Sequence, residues 1–138
     1  MEKRDGFTLI ELIIVMAIIS TLLSIATPTA VGALKKAKAT QVAFNLRNIS
    51  AALQIYYLIN NSITDIQILK DSGYLSGNVE NYRIYDSKTG NEPTDNSTTL
   101  VVVYEGNKVD LNYIKEKIWD AVIGFGDKNK PAVEITVK

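Results

Sequence analysis

The chain has no cysteine and no histidine, and one tryptophan and three prolines among its 138 residues. The first two absences exclude whole classes of chemistry. Without histidine there is no Ser-His-Asp triad, no Cys-His pair and no HExxH zinc site. Without cysteine there is no thiolate nucleophile, zinc knuckle or iron-sulfur cluster. Disulfide stapling is excluded as well, so packing alone must hold the fold. An excess of charge of one sign is also missing. Fifteen basic and 15 acidic side chains cancel, which argues against a nucleic-acid binder dominated by phosphate contacts. From residue 39 onward 10 basic residues stand against 12 acidic ones, so the distal part is mildly acidic.

What is present is unevenly spread. Residues 7–34 hold 19 apolar side chains and a single charge, Glu11, whereas residues 35–138 carry 25 charges. A helix over the apolar run is long enough to cross a hydrocarbon core of about 30 Å, which takes about 20 residues. A membrane helix is the first reading. Its rival is a secretory signal peptide, with the apolar run over residues 12–23 and Ser24-Ile25-Ala26 as a small-x-small cleavage site. Lys3 and Arg4 precede the span while Lys35, Lys36, Lys38 and Arg47 follow it. The positive-inside rule therefore leaves the orientation open.

Glu11 is the informative residue. A charge at the centre of a membrane helix costs about 2.5 to 3.5 kcal/mol on insertion scales, less near an end, and such a group usually faces a partner. Within its own chain, Thr8-Leu9-Ile10-Glu11 fits the S/T-x-x-E capping box, in which the carboxylate satisfies orphan amides and complements the positive helix end. A cut just upstream would add a second possibility. The new amine at Phe7 would stand four residues before the carboxylate.

Gly6 followed by Phe7-Thr8-Leu9-Ile10-Glu11-Leu12, behind a charged six-residue leader and ahead of an unbroken apolar run, resembles the class III signal of type IV prepilins and of type II secretion pseudopilins. The resemblance covers about the first 60 residues. It implies cleavage after Gly6 by a membrane prepilin peptidase on the cytoplasmic side, and N-methylation of Phe7. It also implies an assembly role for Glu11, whose carboxylate would neutralise the N-terminal amine of a neighbouring subunit. Because the implied cut precedes the apolar run, the anchor would remain in the mature chain.

Pro28 also falls where that family has a proline. In a helix it withholds an amide from the Ser24 carbonyl and clashes with that turn, at about 3 kcal/mol in water. Ser20, Thr21, Ser24 and Thr27 are placed to satisfy freed backbone groups, as membrane helices with proline require. Pro28 reads either as a simple kink or, by the resemblance, as a point that melts when the subunit leaves lipid. Ser20 departs from the family's frequent glycine, which would unwind more readily.

Over residues 35–59 the apolar positions become a stripe. Val42, Leu46, Ile49, Leu53 and Tyr56 recur at spacings of four and three on one helix face, with Gln41, Asn45, Asn48 and Gln54 off it. This half is expected to pack against a globular head, and a continuous helix over residues 7–59 would be about 80 Å long, its first half protruding. Lys35, Lys36 and Lys38 read as solvated or facing lipid headgroups.

In the distal part, residues 62–73 read as a short helix opened by the capping box Thr64-Asp65-Ile66-Gln67 and stopped at Gly73. Residues 82–85 and 98–104 have strand character, separated by a polar loop over residues 86–97. Val133, Ile135 and Val137 alternate with polar residues as a third strand. Leu111, Ile114, Ile118 and Val122 predict a helix that ends at Gly124. Asp86, Glu92 and Asp95 are candidate calcium ligands, but their spacing fits no EF-hand loop and a solvated loop is the plainer reading. Gly124-Phe125-Gly126 follows a helix rather than opening one, so it reads as a turn and not a nucleotide site. Trp119, Tyr104 and Tyr113 read as core or subunit contacts.

The expected fold is α+β and pilin-like: a long N-terminal helix packed against a small antiparallel sheet with one added helix. The expected organisation is a leader at residues 1–6, a membrane and filament-core helix at 7–34, an amphipathic continuation at 35–59 and a head at 60–138. The expected function is that of a structural subunit of a type IV pilus or pilus-like filament, with no catalytic residues, metal or cofactor. The alternatives are a type II secretion pseudopilin and a membrane-tethered extracytoplasmic binding module that does not polymerise. The implied partners are other pilins in a helical polymer, the prepilin peptidase, an inner-membrane assembly platform with its cytoplasmic ATPase, and membrane lipid before assembly. No specific nucleic acid is expected. The precursor is expected as a single-pass inner-membrane protein with a cytoplasmic N-terminus, and the product as a cell-surface or periplasmic filament.

Overall fold

The computed structural model describes residues 6–137. The chain divides into two compact units at Lys35 and Lys36, and one helix, α1 (Leu9–Asn60), contributes to both. In the first unit every described residue is exposed apart from the half-buried Gly32. Leucine, isoleucine and alanine dominate there, and strong helix formers sustain the helix without a core to bury them. Of the described helices, α1 alone is long and apolar enough to cross a membrane.

The second unit has a core, and its half of α1 supplies one wall. Val42, Ala43, Leu46, Ile49 and Leu53 are buried, with Tyr56 half-buried beside them. The expected stripe is therefore the packed face. Asn45, one of the polar residues off that stripe, donates to the Tyr82 hydroxyl at 3.1 Å.

The opposite wall is a four-stranded antiparallel sheet: β1 (Tyr82–Asp86), β2 (Thr99–Tyr104), β3 (Val122–Phe125) and β4 (Lys130–Thr136), in the order β1-β2-β4-β3. Period-two alternation sends Tyr82, Ile84, Leu100, Val102, Tyr104, Val133 and Ile135 into the core shared with α1. The other face carries a smaller cluster, with Val101, Val103 and Ala132 buried among Tyr85, Ile123 and Phe125. β2 is thus covered on both faces, which explains its continuous apolar run, Leu100-Val101-Val102-Val103. Pro131 sits just past the last β2 pair, Val103 opposite Ala132, so its missing amide interrupts no bond of that ladder.

Two short helices flank the sheet, α2 (Ile66–Asp71) and α3 (Leu111–Lys117). The expected cap of α2 is displaced by one residue. Asp65, not Thr64, is the N-cap, accepting from the Ile68 amide at 2.8 Å, while Gln67 bonds to Asp71 instead of completing a box. A carboxylate is the stronger acceptor for an orphan amide. The stop at Gly73 is as expected. With φ +78°, Gly73 donates to the Lys70 carbonyl and Tyr74 donates to that of Leu69, a Schellman ending.

The predicted helix running to Gly124 is corrected. α3 ends at Lys117, and Val122-Ile123-Gly124-Phe125 forms the edge strand β3. Its residues pair with Val133, Ala132, Pro131 and Lys130 across a turn whose Gly126 (φ +68°) and Asn129 (φ +48°) take left-handed conformations. Gly124 has a steric role as well: a Cβ there would overlap the Asn129 carboxamide. Ile118 and Val122 kept the apolar spacing of a helix because both pack into the same core.

Candidate functional site

The sequence places its candidate residues at the start of α1. Phe7 is 84% exposed and Leu9 76% exposed. Thr8 and Glu11 close the reciprocal capping box: Glu11 Oε2 accepts from the Thr8 amide at 2.8 Å and from the Thr8 hydroxyl at 2.7 Å, and the Glu11 amide donates back to Thr8 Oγ1 at 3.4 Å. The carboxylate is therefore held one residue from the Phe7 backbone by its own chain. Both contacts fall on Oε2, and no burial restrains the group.

Gly6 has no φ in the left-handed range, and among the described residues no atom lies within 4 Å of the place a Cβ would occupy. The fold itself makes no demand for glycine there. Residues 1–5, the rest of the expected leader, lie outside the described residues.

Pro28 lies inside α1 without ending it. The hydroxyls around it turn back onto the helix: Ser20 donates to the Met16 carbonyl, Thr21 to Ala17 and Ile18, Thr27 to Leu23, and Thr29 to Ile25. These four hydroxyls are thereby satisfied within the segment, as a hydrocarbon surrounding would require. Among the described residues, none of these side-chain bonds ends on the Ser24 carbonyl that Pro28 deprives of its amide.

Of the calcium candidates, Asp86 has an internal role. Asp86 is only 8% exposed and accepts from the amides of Lys88 at 2.8 Å and Thr89 at 2.9 Å. The Ser97 hydroxyl, then the Thr89 amide, hold its carboxyl below the usual carboxylate range. Asp86 thus organises its own loop, and its backbone carbonyl takes the Gly90 amide at 2.9 Å. Among the described residues no group of three or more acidic side chains is placed to hold a metal ion.

Several polar contacts of the head gave no signal in the sequence because their partners are far apart in it. Glu105 Oε1 accepts from Lys130 Nζ and from the Tyr85 hydroxyl, both at 2.9 Å, and Arg83 lies 3.9 Å from Oε2. Lys130, above all, holds the Glu105 carboxyl below its ordinary range. Tyr85 also stacks on Phe125 at 5.8 Å. Exposed pairs of this kind contribute about 0 to 1 kcal/mol, so the cluster pins strand positions rather than performing chemistry. Tyr104 is buried against Tyr82, Tyr113 lies under Lys36 at 5.9 Å and Trp119 under Arg47 at 5.6 Å. All three aromatics are accounted for by contacts within the head.

Residues 1–27 match the family model described as the prokaryotic N-terminal methylation motif. Over 67 residues the chain is 40% identical to the type IV wide pilus major component PilA4 of Thermus thermophilus, an overlap covering 49% of this chain and 51% of that protein. The chain thus spans about half the length of the curated relative it matches. No solved structure matches. The chain is thus similar to a type IV pilin over about half of its length, and the long apolar helix with a small antiparallel sheet matches the expected α+β, pilin-like architecture.

Proposed function

We propose that this chain is a member of the type IV pilin family and a structural subunit of a type IV pilus or pilus-like filament. On this reading it is made as an inner-membrane precursor with a cytoplasmic N-terminus, cleaved after Gly6 by a prepilin peptidase and N-methylated at Phe7. The observation that carries the reading is the prepilin signal set directly against a helix segment whose apolar side chains have no partner in their own chain. Gly6 supports it from another side, since a glycine without an internal conformational or steric reason suits recognition by an external enzyme.

The energetics favour assembly that is driven and then persistent. Lipid tails are as apolar as leucine, so transfer of the segment from bilayer to a bundle of like helices gains little hydrophobic energy, and an external motor, an assembly platform with its ATPase, supplies the work. Outside lipid, 19 apolar side chains at about 1.5 to 3 kcal/mol for each large one make release into water prohibitive. Glu11 is the assembly contact. Its bonds to Thr8 come from neutral donors, and the protonated amine of a neighbouring Phe7 would add the attraction of a full opposite charge that those donors lack. Pro28, with the Ser24 carbonyl left unrescued by a side chain, is the point where α1 is easiest to melt on leaving lipid.

N-terminal mass spectrometry of the mature chain tests the reading. A chain beginning at N-methylated Phe7 is expected, and one beginning at Thr27 would return the apolar run to a removed signal peptide. Glu11→Ala is expected to be cleaved normally yet to enter filaments poorly. Wild-type incorporation of that variant would leave Glu11 only its cap.

A further inference from the structure

The sheet of the head ends in two edges, β1 and β3, and the bonds that flank each one show which backbone groups it leaves open. The Glu105 amide donates to the Asn81 carbonyl at 2.7 Å and the Ser87 amide to that of Thr99 at 2.9 Å. Both bonds continue the register of β1 with β2. Odd-numbered residues of β1 therefore bond to β2, and even-numbered ones turn their backbone groups to the open side. There the amides of Tyr82 and Asp86 are engaged by the carbonyls of Val79 and Asn91. Between them, Ile84 has an amide and a carbonyl that no described residue takes up on that side.

The other edge has the same character. The Val137 amide donates to the Thr98 carbonyl at 2.9 Å, which commits the odd-numbered residues of β4 to β2 and leaves Lys130 and Ala132 to bond Phe125 and Ile123. Val122 and Gly124 thus turn to the open side of β3, where the Trp119 carbonyl engages the Val122 amide at 3.4 Å. Gly124 is exposed, and no described residue bonds its amide or carbonyl there. Each edge offers one residue with a complete donor and acceptor pair, the unit by which antiparallel strands join.

We propose that the β1 edge of one copy pairs antiparallel with the β3 edge of a second copy, Ile84 opposite Gly124, joining heads through a continuous sheet. This rests on the filament reading given above. Charge selects both the partner and the direction. Glu80 and Lys88 stand four residues either side of Ile84, Asp120 and Lys128 four either side of Gly124, and all four are exposed. Antiparallel pairing carries Glu80 toward Lys128 and Lys88 toward Asp120, whereas parallel pairing would set like charges together at both ends. Arg83 would lie opposite Phe125, a pairing of cation and ring. A groove of about 810 Å³, lined by Glu80, Ile84 and Glu92 and on α2 by Ile66 and Lys70, runs along β1 where the added strand would enter. The two edges are different surfaces, so the contact is heterologous, and every added copy presents a fresh edge for the next.

The chain has no cysteine, so introduced ones report this contact alone. Within one copy, positions 83 and 125 are three strand spacings of about 4.8 Å apart, beyond the roughly 7 Å that a disulfide spans. Filaments of the full chain carrying Arg83→Cys with Phe125→Cys are expected to give, after mild oxidation, a ladder of disulfide-linked oligomers on a denaturing gel. Filaments that form without the ladder would overturn the edge pairing and leave the filament reading intact, whereas a wild-type chain that forms no filament overturns both. A second pair of variants leaves the core untouched and reads the pairing even where the cysteine chain does not fold. Glu80→Lys is expected to lower filament yield at low salt by up to about fivefold, and adding Lys128→Glu should restore it. A double variant no better than Glu80→Lys alone would overturn the pairing.

Discussion

The two halves of α1 are chemically different answers to the same helical geometry. Up to Leu34 the apolar residues surround the helix and none of them is buried. Beyond Ala39 they narrow to a stripe, and Val42, Leu46, Ile49 and Leu53 each lose nearly all contact with solvent. A stripe specifies one partner surface, here the sheet, because polar residues on the remaining faces oppose any other orientation. An apolar surface all round specifies a surrounding instead, lipid or a bundle of like helices. The contrast teaches why one chain can fold its head alone and still require company for its N-terminal half.

Substitutions should separate the halves. The largest effect is expected in the stripe, where Leu46→Ala should cost the head about 2 to 5 kcal/mol through lost burial and the cavity left behind. Leu22→Ala, in the other half, should change the head's denaturation midpoint by less than the error of the measurement, because Leu22 is exposed. A midpoint shift of similar size for both would mean that the halves are not independent.

Smaller effects sharpen the comparison at the two N-caps. Asp65→Ala should destabilise the head by about 1 kcal/mol, the usual worth of an N-cap, read as a lowered melting temperature. Thr64→Val should do the opposite, raising stability by up to about 1 kcal/mol, because Thr64 Oγ1 is buried without a hydrogen-bond partner. Thr8→Ala, which removes the hydroxyl from the box of the first half, should leave the melting of the head unchanged, since its bonds lie wholly in the other unit.

The smallest expected effect is set by pH. The folded carboxyl of Asp86 is held below its ordinary range, so its contribution is present above about pH 4, the unfolded value, and is lost as pH falls through the lower folded one. Amide protection factors in the loop after β1 should fall below about pH 4 while those of α1 beyond Ala39 do not. In Asp86→Asn that acid-dependent step should be absent, and its persistence would assign the step to another group.

Much of the fold was legible because it follows local periodicity. The stripe on α1, the alternation in β4, the continuous apolar run of β2 and the glycine stop of α2 are each encoded within a few neighbouring residues. The same logic misread residues 118–124. Ile118 and Val122 share helical spacing with Leu111 and Ile114, yet the pairing of Val122 with Val133 and of Phe125 with Lys130 decides for a strand. That preference comes from strand partners five to eleven positions away, and the apolar spacing of residues 111–122 does not contain it. The N-cap of α2 was missed for a subtler reason, since Thr64 and Asp65 are both good caps and only packing, which buries Thr64, chose between them.

The candidate site was legible for the same reason as the stripe. Gly6, Phe7, Thr8 and Glu11 are neighbours in the chain, and the capping geometry of Thr8 and Glu11 needs only three residues between donor and acceptor. The contacts of Glu105 with Lys130, and of Lys36 with Tyr113, join positions 25 and 77 apart, and no spacing announces them.

The sequence by itself determined the division of this protein into an apolar helix and a polar head, the motif at their start and the absence of thiol and imidazole chemistry. These are properties of composition and of neighbours, and they survive any arrangement of the rest. Tertiary structure alone decided the fourth strand, the order β1-β2-β4-β3 and the position of α3 beside Lys36. Strand pairing and helix docking join distant residues, and their free energy depends on which surfaces meet.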